Sequence, residues 1–274
     1  MRFVHLDRDE RGVARLRLHR PEVRNAFNAE LVSELAQAGE ELAAENGVRV
    51  VVLSGDGPSF SAGADLEWMR SMRGRSREDN LHDARAVSTM LRTLDELPCA
   101  VIGRVHGHAM GGGVGLIAVC DAVVAARDTV FALTEVKLGI APAVISPFVV
   151  RKIGRSHARA LFVTGEQFDA ALAERIGLVH LVVEAGQVDA AVEAMVDQVL
   201  AAGPHAVAAA KRLPELALAP IETATETTAA VIAELRVSDE GQEGMTAFLE
   251  KRRPRWAPRS ETSAEPGAAA DGSR

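Results

Sequence analysis

Two loops rich in glycine and alanine carry the residues whose types and spacing could do chemistry. The first, GDGPSFSAGADL at 55–66, follows an apolar run and leads into a predicted helix that starts near Asp65. The second, HGHAMGGGVG at 106–115, places the glycine triplet 111–113 at another strand-to-helix junction. Backbone amides at such junctions lack intrahelical acceptors and attract a phosphate or a developing oxyanion. Two converging loops could bind one oxygen through two amides, although a surface turn or close helix packing explains each loop taken alone.

A single carboxylate closes the apolar stretch TVFALTE at 129–135. If Glu135 is buried, desolvation raises its pKa, which suits a general acid or base working near neutral pH. An exposed glutamate paired with Lys137 or Arg151 fits the local sequence equally well. Glu135 is therefore the candidate acid–base group, and the sequence alone does not decide whether its side chain is buried.

Spacing argues against several other kinds of site. The glycines of 111–115 do not match the G-x-G-x-x-G dinucleotide motif, and no lysine of a phosphate-binding loop follows them. Ser59 lacks the following glycine of a nucleophile elbow. His106 and His108 have no third ligand nearby in sequence, so the sequence predicts no metal site.

The elements that position these loops begin with a hairpin. FVHLD at 3–7 and VARLRL at 13–18 alternate apolar and polar residues, which predicts two strands. Asn28 is a typical N-cap for a helix that runs toward Gly47. VRVVVLSG at 48–55 then predicts a buried strand.

The remaining chain continues this α/β alternation and then becomes helical. Helices are predicted from about residue 78 to 96 and at GLIAVC, 115–120, and residues 187–250 are predicted to be wholly helical. Four further segments are predicted strands: AVIGRV (100–105), DAVVAA (121–126), TVFALTE (129–135) and VHLVV (179–183).

Composition limits the class of protein. The chain has 274 residues, is 47% hydrophobic and carries a formal net charge of −7, which predicts a substantial core and disfavours nucleic acid as a partner. Cys99 and Cys120 show no disulfide or metal spacing, and no apolar run approaches the ~20 residues of a membrane span. We expect a cytoplasmic protein without a membrane partner. The basic run at 251–255 fits a solvated helix end or a ligand contact.

Four motifs in order resemble the crotonase, or enoyl-CoA hydratase/isomerase, superfamily. The likeness extends from RPEVRNAFN at 20–28 through AFLEKRRPRW at 247–256. The motifs are FSAGADL (60–66), HGHAMGGGVGL (106–116), CDAVVA (120–125) and FALTEVKLGIAP (131–142).

This resemblance implies an α/β fold, the crotonase (ClpP-like) spiral of repeated ββα units. It further implies a C-terminal helical region that builds homotrimers, often stacked as hexamers. We expect residues 1–195 to form the spiral core, 196–257 the helical assembly region, and 258–274 a disordered tail.

The resemblance also implies roles for individual residues. The amides of Ala64 and Gly112 would form an oxyanion hole for the thioester oxygen, with Glu135 as the catalytic acid and base. The substrate is an acyl-CoA thioester, coenzyme A is part of that substrate, and no separate cofactor or metal is expected. Residues implied to contact the acyl-CoA are Arg24, Asn25, Ala62, Asp65, Leu66, Gly111, Phe248 and Lys251.

One departure from the family pattern, at position 115, bears on which reaction the protein catalyses. Family hydratases usually carry a second glutamate where this chain has Gly115. The single Glu135 suits an enoyl-CoA hydratase, and the motifs look most like hydratases of branched, glutaconyl-type thioesters. It also suits a Δ3,Δ2-enoyl-CoA isomerase, and a non-catalytic CoA-ester or RNA-binding homologue is a third reading. A distal substrate carboxylate could meet Arg73, His82 or Arg85.

Overall fold

Residues 1–257, which the computed structural model describes, contain nine β-strands and ten α-helices. The strands are β1 (Val4–Arg8), β2 (Val13–Leu18), β3 (Val50–Gly55), β4 (Ala100–Val105), β5 (His108–Met110), β6 (Ala122–Ala126), β7 (Val130–Ala132), β8 (Gln167–Asp169) and β9 (Leu181–Val183). The helices are α1 (Ala29–Ala44), α2 (Leu66–Ser71), α3 (Arg77–Asp95), α4 (Gly112–Ala118), α5 (Ser146–Thr164), α6 (Ala170–Arg175), α7 (Val188–Ala201), α8 (Pro204–Leu216), α9 (Ile221–Val237) and α10 (Asp239–Leu249).

The opening hairpin forms as predicted. β1 and β2 pair antiparallel with Leu6 opposite Leu16, so their apolar side chains share one face. α1 begins after Asn28, whose Oδ1 accepts a hydrogen bond from the amide of Leu31 at 2.8 Å and thereby caps the helix. β3 then pairs parallel to β2, so α1 is the first crossover of the fold.

The strands divide between two sheets, which makes the spiral. The main sheet has the order β1-β2-β3-β4-β6-β9, and a smaller sheet has the order β5-β7-β8. From β4 onward the chain passes back and forth between them, since β4, β6 and β9 join the main sheet, whereas β5 and the consecutive strands β7 and β8 join the smaller one. This is the predicted α/β spiral. The sequence did not predict β5 or β8, because their segments, HAM and QFD, lack the apolar runs that indicated the equally short strands β7 and β9.

Both faces of the main sheet are covered. On one face Leu16, Leu53 and Val101 are buried in a cluster that includes apolar residues of α1 and α3. On the other face Val52 and Val124 cluster with apolar residues of α7. A parallel sheet covered on both faces requires apolar residues at successive positions, which is why β3 is buried throughout.

The C-terminal helices extend from this core. α7 still packs on the main sheet, so the boundary predicted at residue 195 falls inside a helix. α8, α9 and α10 bury few side chains and expose eight large apolar ones between them and in their turns. These are Leu213, Leu218, Ile221, Ile232, Val237, Met245, Phe248 and Leu249. The predicted disordered tail, 258–274, lies outside the described residues.

The two cysteines are buried and unpaired, and burial raises the pKa of Cys99 to about 11 and that of Cys120 to about 12. Both are therefore unreactive thiols at neutral pH. Within residues 1–257, no helix is both long and apolar enough to cross a bilayer.

Candidate active site

The two loops singled out in the sequence run side by side. Ser61 and Ala109 form a parallel bridge, in which the Ser61 amide donates to the carbonyl of His108 at 3.0 Å and the Met110 amide donates to the carbonyl of Ser61 at 3.0 Å. Three residues further along both segments lie Ala64 and Gly112. A Cβ on Gly63 would lie 3.0 Å from the carbonyl oxygen of Met110, so the two segments are still adjacent just before Ala64 and Gly112.

The histidines of the second loop hold the first loop in place. His106 Nε2 lies 2.8 Å from the carbonyl oxygen of Gly57, and His108 Nδ1 lies 3.3 Å from Ser59 Oγ. Gly107 has φ +62, and a Cβ there would lie 2.1 Å from the carbonyl oxygen of Pro58, so only glycine permits this approach.

A bridge to Phe27 fixes the direction of the Ala64 amide. The Phe27 amide donates to the Gly63 carbonyl at 2.6 Å, and the Asp65 amide donates to the Phe27 carbonyl at 2.8 Å. In such a parallel bridge the N–H of the middle residue points away from the partner segment, so the Ala64 N–H points away from Phe27. Within the described chain the Ala64 amide donates no hydrogen bond.

The second free amide belongs to Gly112, the first residue of α4. The preceding residue, Gly111, has φ +47, a conformation that turns the chain into α4. The amide of Gly111 donates a hydrogen bond to the carbonyl of Ala132 at 2.9 Å. A first helical residue has no intrahelical acceptor, and the Gly112 amide finds none elsewhere in residues 1–257. Ala64 and Gly112 thus each present an unused N–H donor.

Glu135 lies against this glycine turn. A Cβ built on Gly111 would be 3.0 Å from Glu135 Oε1, so the carboxylate occupies the space that a side chain at 111 would need. Oε2 of Glu135 is buried without a hydrogen-bond partner, and burial raises the pKa of Glu135 above its ordinary value. A raised pKa moves a carboxyl group toward the range in which it can both accept and donate a proton near neutral pH.

The alternative reading of Glu135, as an exposed residue in an ion pair, does not match the structure. Arg151 pairs instead with Asp95, at 2.5 Å, and no ion pair reaches Glu135 among residues 1–257. Glu135 also does not end a strand as predicted. β7 ends at Ala132, and Glu135 lies in a 3₁₀ turn, Thr134–Leu138, that carries its side chain toward Gly111.

Position 115 is closed to a second carboxylate. A Cβ on Gly115 would lie 2.5 Å from Cγ2 of Ile145 and 3.6 Å from Cδ1 of Leu91. Both apolar side chains are buried, so they fill the volume that a side chain at 115 would take. Glu135 is therefore the one carboxylate that the described chain places against the glycine turn.

The predicted acyl-CoA contacts of the first half of the chain fall into two groups. Arg24 and Leu66 are exposed, and Ala62 is partly exposed, so their surfaces are available to a ligand. Asn25 is fully buried instead. Its Nδ2 donates to the carbonyls of Asp56 at 2.9 Å and Ser59 at 2.8 Å, so the side chain shapes the loop.

Asp65 is also buried and forms an ion pair that the sequence did not predict. Its Oδ1 caps α2 by accepting the Glu67 amide at 2.7 Å, and its Oδ2 accepts from Arg20 Nη2 at 2.8 Å. Burial by itself raises the pKa of Asp65, but the bonds from Arg20 and from backbone amides hold it below its ordinary value. Asp65 therefore positions the segment that carries Ala64.

The predicted C-terminal contacts lie on α10 and just after it. Phe248 is 82% exposed and Lys251 is exposed with φ +55. Within one chain α10 packs against α9 rather than against either glycine loop. In the basic run, Arg252 bonds Glu243 at 2.7 and 3.0 Å, so this arginine is engaged within the chain.

The three residues suggested for a distal carboxylate, Arg73, His82 and Arg85, are exposed. A separate cavity of about 400 Å³ opens on the α7 face of the main sheet, with neither Gly111 nor Glu135 in its lining. Its arginines are neutralised locally, since Arg15 pairs with Glu193 and Arg104 with Asp189. The cavity reaches the first residues of the two loops, Gly55 to Gly57 and His106, but not the glycine turn at 111–113.

Known proteins share both the sequence pattern and the fold. A Thermus thermophilus protein provisionally named enoyl-CoA hydratase is 34% identical over 90% of this chain and 98% of its own length. Mevalonyl-coenzyme A hydratase sidH of Aspergillus fumigatus is 31% identical over 89% of this chain and 90% of its own. The crystal structure of an enoyl-CoA hydratase from Shewanella pealeana superposes with a TM-score of 0.89 at 37% identity, covering 93% of this chain and 96% of that one.

The match to the family extends over nearly the whole chain. The family model described as enoyl-CoA hydratase/isomerase covers residues 8–259, which include both glycine loops, Glu135 and the C-terminal helices. With a shared fold, a family match over nearly the whole chain and relatives covered over nearly their whole length, the chain belongs to the enoyl-CoA hydratase/isomerase family, the crotonase superfamily of enzymes.

Proposed function

We propose that the protein is an enoyl-CoA hydratase that adds water across the α,β double bond of an acyl-CoA thioester. The observation that carries this proposal is the position of Glu135, whose partly desolvated carboxylate lies against Gly111, next to the free amide of Gly112. A proton-transfer group beside two free amides is what addition to an α,β-unsaturated thioester requires.

In this mechanism the thioester oxygen accepts hydrogen bonds from the amides of Ala64 and Gly112. The Glu135 carboxylate takes a proton from water while the water oxygen bonds to the β-carbon. The electron pair of the double bond moves to the α-carbon and onto the thioester oxygen, giving an enolate that the two amides stabilise. The protonated Glu135 then delivers its proton to the α-carbon, which restores the carboxylate and releases a 3-hydroxyacyl thioester.

A single carboxylate is sufficient for this cycle because it gains one proton and returns one. The closure of position 115 by Ile145 and Leu91 leaves no place for the second glutamate. The same carboxylate could move a proton between the α- and γ-carbons of a 3-enoyl thioester. An experiment must therefore distinguish isomerisation from hydration.

For the substrate we propose a branched, glutaconyl-type acyl group. The support is the motif pair GGGVGL and TEVKLGIAPAVISPFVVRKIG, together with a relative named as hydratase of mevalonyl-coenzyme A, a thioester branched at its β-carbon.

We further propose that the coenzyme is held by Arg24, Ala62 and Leu66 of one subunit and by Phe248 and Lys251 of a neighbour in a homotrimer or hexamer. The exposed apolar side chains of α8 to α10 support this assembly, because so many large apolar groups on one region favour burial between subunits. Phe248, at 82% exposed, is the most exposed of them.

The test uses purified full-length protein with three thioesters: 3-methylglutaconyl-CoA, crotonyl-CoA and 3-hexenoyl-CoA. We expect hydration of the first two, and Glu135→Gln should lower kcat by about 10²- to 10⁴-fold. Glu166→Gln, at an exposed glutamate, is the matched control and should leave kcat unchanged.

Three results would contradict the proposal in different ways. Equal activity of Glu135→Gln and wild type would remove the mechanism. Double-bond shift in 3-hexenoyl-CoA without hydration of any enoyl thioester would make the protein an isomerase. Salt-dependent RNA binding with no turnover would make it a binding protein.

A further inference from the structure

Three side chains of types that commonly bind metals lie close together beside β1 and the carboxyl ends of β2 and β3. The ligand atoms of His5, His19 and Asp56 all lie within 4.8 Å of one another. His19 Nδ1 is 2.7 Å and His5 Nδ1 is 3.9 Å from the same oxygen, Asp56 Oδ2. The two imidazole rings stack with their centroids 3.9 Å apart.

The register in which β1, β2 and β3 pair brings these three side chains together. His5 pairs with Arg17 across the hairpin, and the His19 amide donates to the carbonyl of Phe3 at 2.7 Å, so His5 and His19 are diagonal neighbours on one face. Leu18 pairs with Gly55 in the parallel ladder, which puts His19 beside Asp56. The sequence predicted no metal site because these ligands come from three separate segments.

The distances suit one cation. Ligand atoms about 2.1 Å from a tetrahedral metal are about 3.4 Å apart, and the two distances to Asp56 Oδ2 lie on either side of that value. The side chains of His5, His19 and Asp56 are 38%, 41% and 26% exposed, so a cation and one or two waters can reach the open positions. The ligands sit on or directly beside strands, which keeps them close to this geometry.

The nearby arginine does not occupy the Asp56 oxygen that would bind the cation, Oδ2, whose hydrogen-bond partner is His19. Arg17 Nη1 approaches the other oxygen of Asp56, Oδ1, at 3.6 Å, and Arg17 is also bonded to Asp7 at 2.7 Å. The group formed by Arg17, Asp7 and Asp56 therefore carries one net negative charge. Two imidazole nitrogens and one carboxylate favour Zn²⁺ or a similar transition metal over Mg²⁺ and Ca²⁺, which prefer oxygen ligands.

We propose that His5, His19 and Asp56 form a binding site for one divalent transition-metal cation, with water completing its coordination. On binding, the proton shared by His19 Nδ1 and Asp56 moves to His19 Nε2, so that both Nδ1 and Oδ2 bind the metal. The carbonyl of Asp56 accepts from Asn25 Nδ2 at 2.9 Å, so the cation joins the opening hairpin to the loop that Asn25 holds. This site is independent of the proposed hydratase activity.

The experiment is a calorimetric Zn²⁺ titration of full-length protein without a polyhistidine tag, after removal of metals by chelation. We expect one Zn²⁺ per chain with a micromolar or tighter dissociation constant. His5→Gln, His19→Gln and Asp56→Asn should each weaken binding at least tenfold, roughly the effect of losing one interaction in a metal site. His157→Gln, at an exposed histidine outside the cluster, is the control and should bind like wild type.

Thermal unfolding measured with and without Zn²⁺ tests the proposal even if one variant folds poorly. Zn²⁺ should raise the Tm of wild type and of His157→Gln but not that of His19→Gln, since a ligand stabilises only the state that binds it. Wild type that binds no Zn²⁺ at millimolar concentration would overturn the proposal. Equal Zn²⁺ affinity in wild type and all three cluster variants would overturn it as well.

Discussion

Nη2 of Arg20 lies 2.8 Å from Oδ2 of Asp65, and each side chain is only 9% exposed. The same guanidinium donates through Nη1 to the carbonyl of Ala26 and lies over the ring of Phe3. Since Asp65 follows Ala64 directly and caps α2, this ion pair joins the segment before α1 to the loop with the first free amide. This ion pair therefore holds in place the segment that carries Ala64, one of the two residues of the proposed oxyanion hole.

Asp65→Asn is expected to lower the free energy of unfolding by about 3–5 kcal/mol, because it leaves the buried Arg20 charge unpaired. Asparagine still caps a helix, so loss of the cap does not explain the change. Denaturant unfolding at pH 7 measures it. Glu184→Gln breaks a pair in which both side chains are 65% exposed and should cost only about 0–1 kcal/mol. Equal costs for the two variants would show that the Arg20–Asp65 pair has no special role.

Gly115→Ala is expected to destabilise the fold by about 1–3 kcal/mol, because its Cβ would overlap the side chain of Ile145. Adding Ile145→Ala should recover part of this loss, which a double-mutant cycle of unfolding free energies would detect as coupling. Gly186→Ala is the control, since a Cβ there meets nothing within 4 Å. Additive effects at 115 and 145 would contradict the proposed steric closure.

The sequence was most informative where its patterns are strong. The hairpin, the Asn28 cap and the buried strands β3, β4 and β6 all form as predicted, because alternation and apolar runs report directly on burial. The sequence does not indicate β5 and β8, because HAM and QFD lie outside the apolar runs that indicate the equally short strands β7 and β9. The division of strands between two sheets is a tertiary property, and only the family resemblance implied it.

For the site, loop composition suggests free amides and makes Glu135 the acid–base candidate, and the family resemblance implies Ala64 and Gly112, but neither indicates the supporting contacts. The resemblance implies that Asn25 contacts the ligand, yet its side chain is buried among backbone carbonyls. The sequence does not indicate the role of Arg20, because a buried ion pair between residues 45 positions apart leaves no local signature. It does not indicate the role of Ile145 either, since only the fold brings this residue to Gly115.

Glu135→Gln is expected to raise the free energy of unfolding at neutral pH. Burial raises the folded-state pKa of Glu135 above its ordinary value of 4.5, so the folded state binds this proton more tightly than the unfolded state. Wild type therefore loses stability as the pH rises from about 4.5 through the folded pKa, and the glutamine variant does not. Urea unfolding of both proteins from pH 4 to 8 should show a difference that is smallest at pH 4. A constant difference would argue against a desolvated carboxylate.

Phe248→Asp is expected to reduce the assembly to smaller species. Phe248 belongs to the exposed apolar surface of α8 to α10, and a charge buried there between subunits would be costly. Light scattering during size exclusion should give a trimer or hexamer mass for wild type and a lower mass for the variant. Glu222→Gln, at an exposed residue of α9, serves as the control. A monomeric wild type would rule out the proposed contribution of Phe248 from a neighbouring subunit.

Gly112→Pro tests the second amide of the proposed oxyanion hole, because it removes the N–H at a helix position where proline is well tolerated. Loss of one such donor costs about 10²- to 10³-fold in kcat. Gly112→Ala is the matched control, since it adds the same Cβ, 3.0 Å from the ring of Phe27, but keeps the N–H. We therefore expect kcat for crotonyl-CoA hydration to fall far more in the proline variant than in the alanine variant. If both variants lose the same activity, crowding against Phe27 explains the loss, and the Gly112 amide has no part in stabilising the enolate.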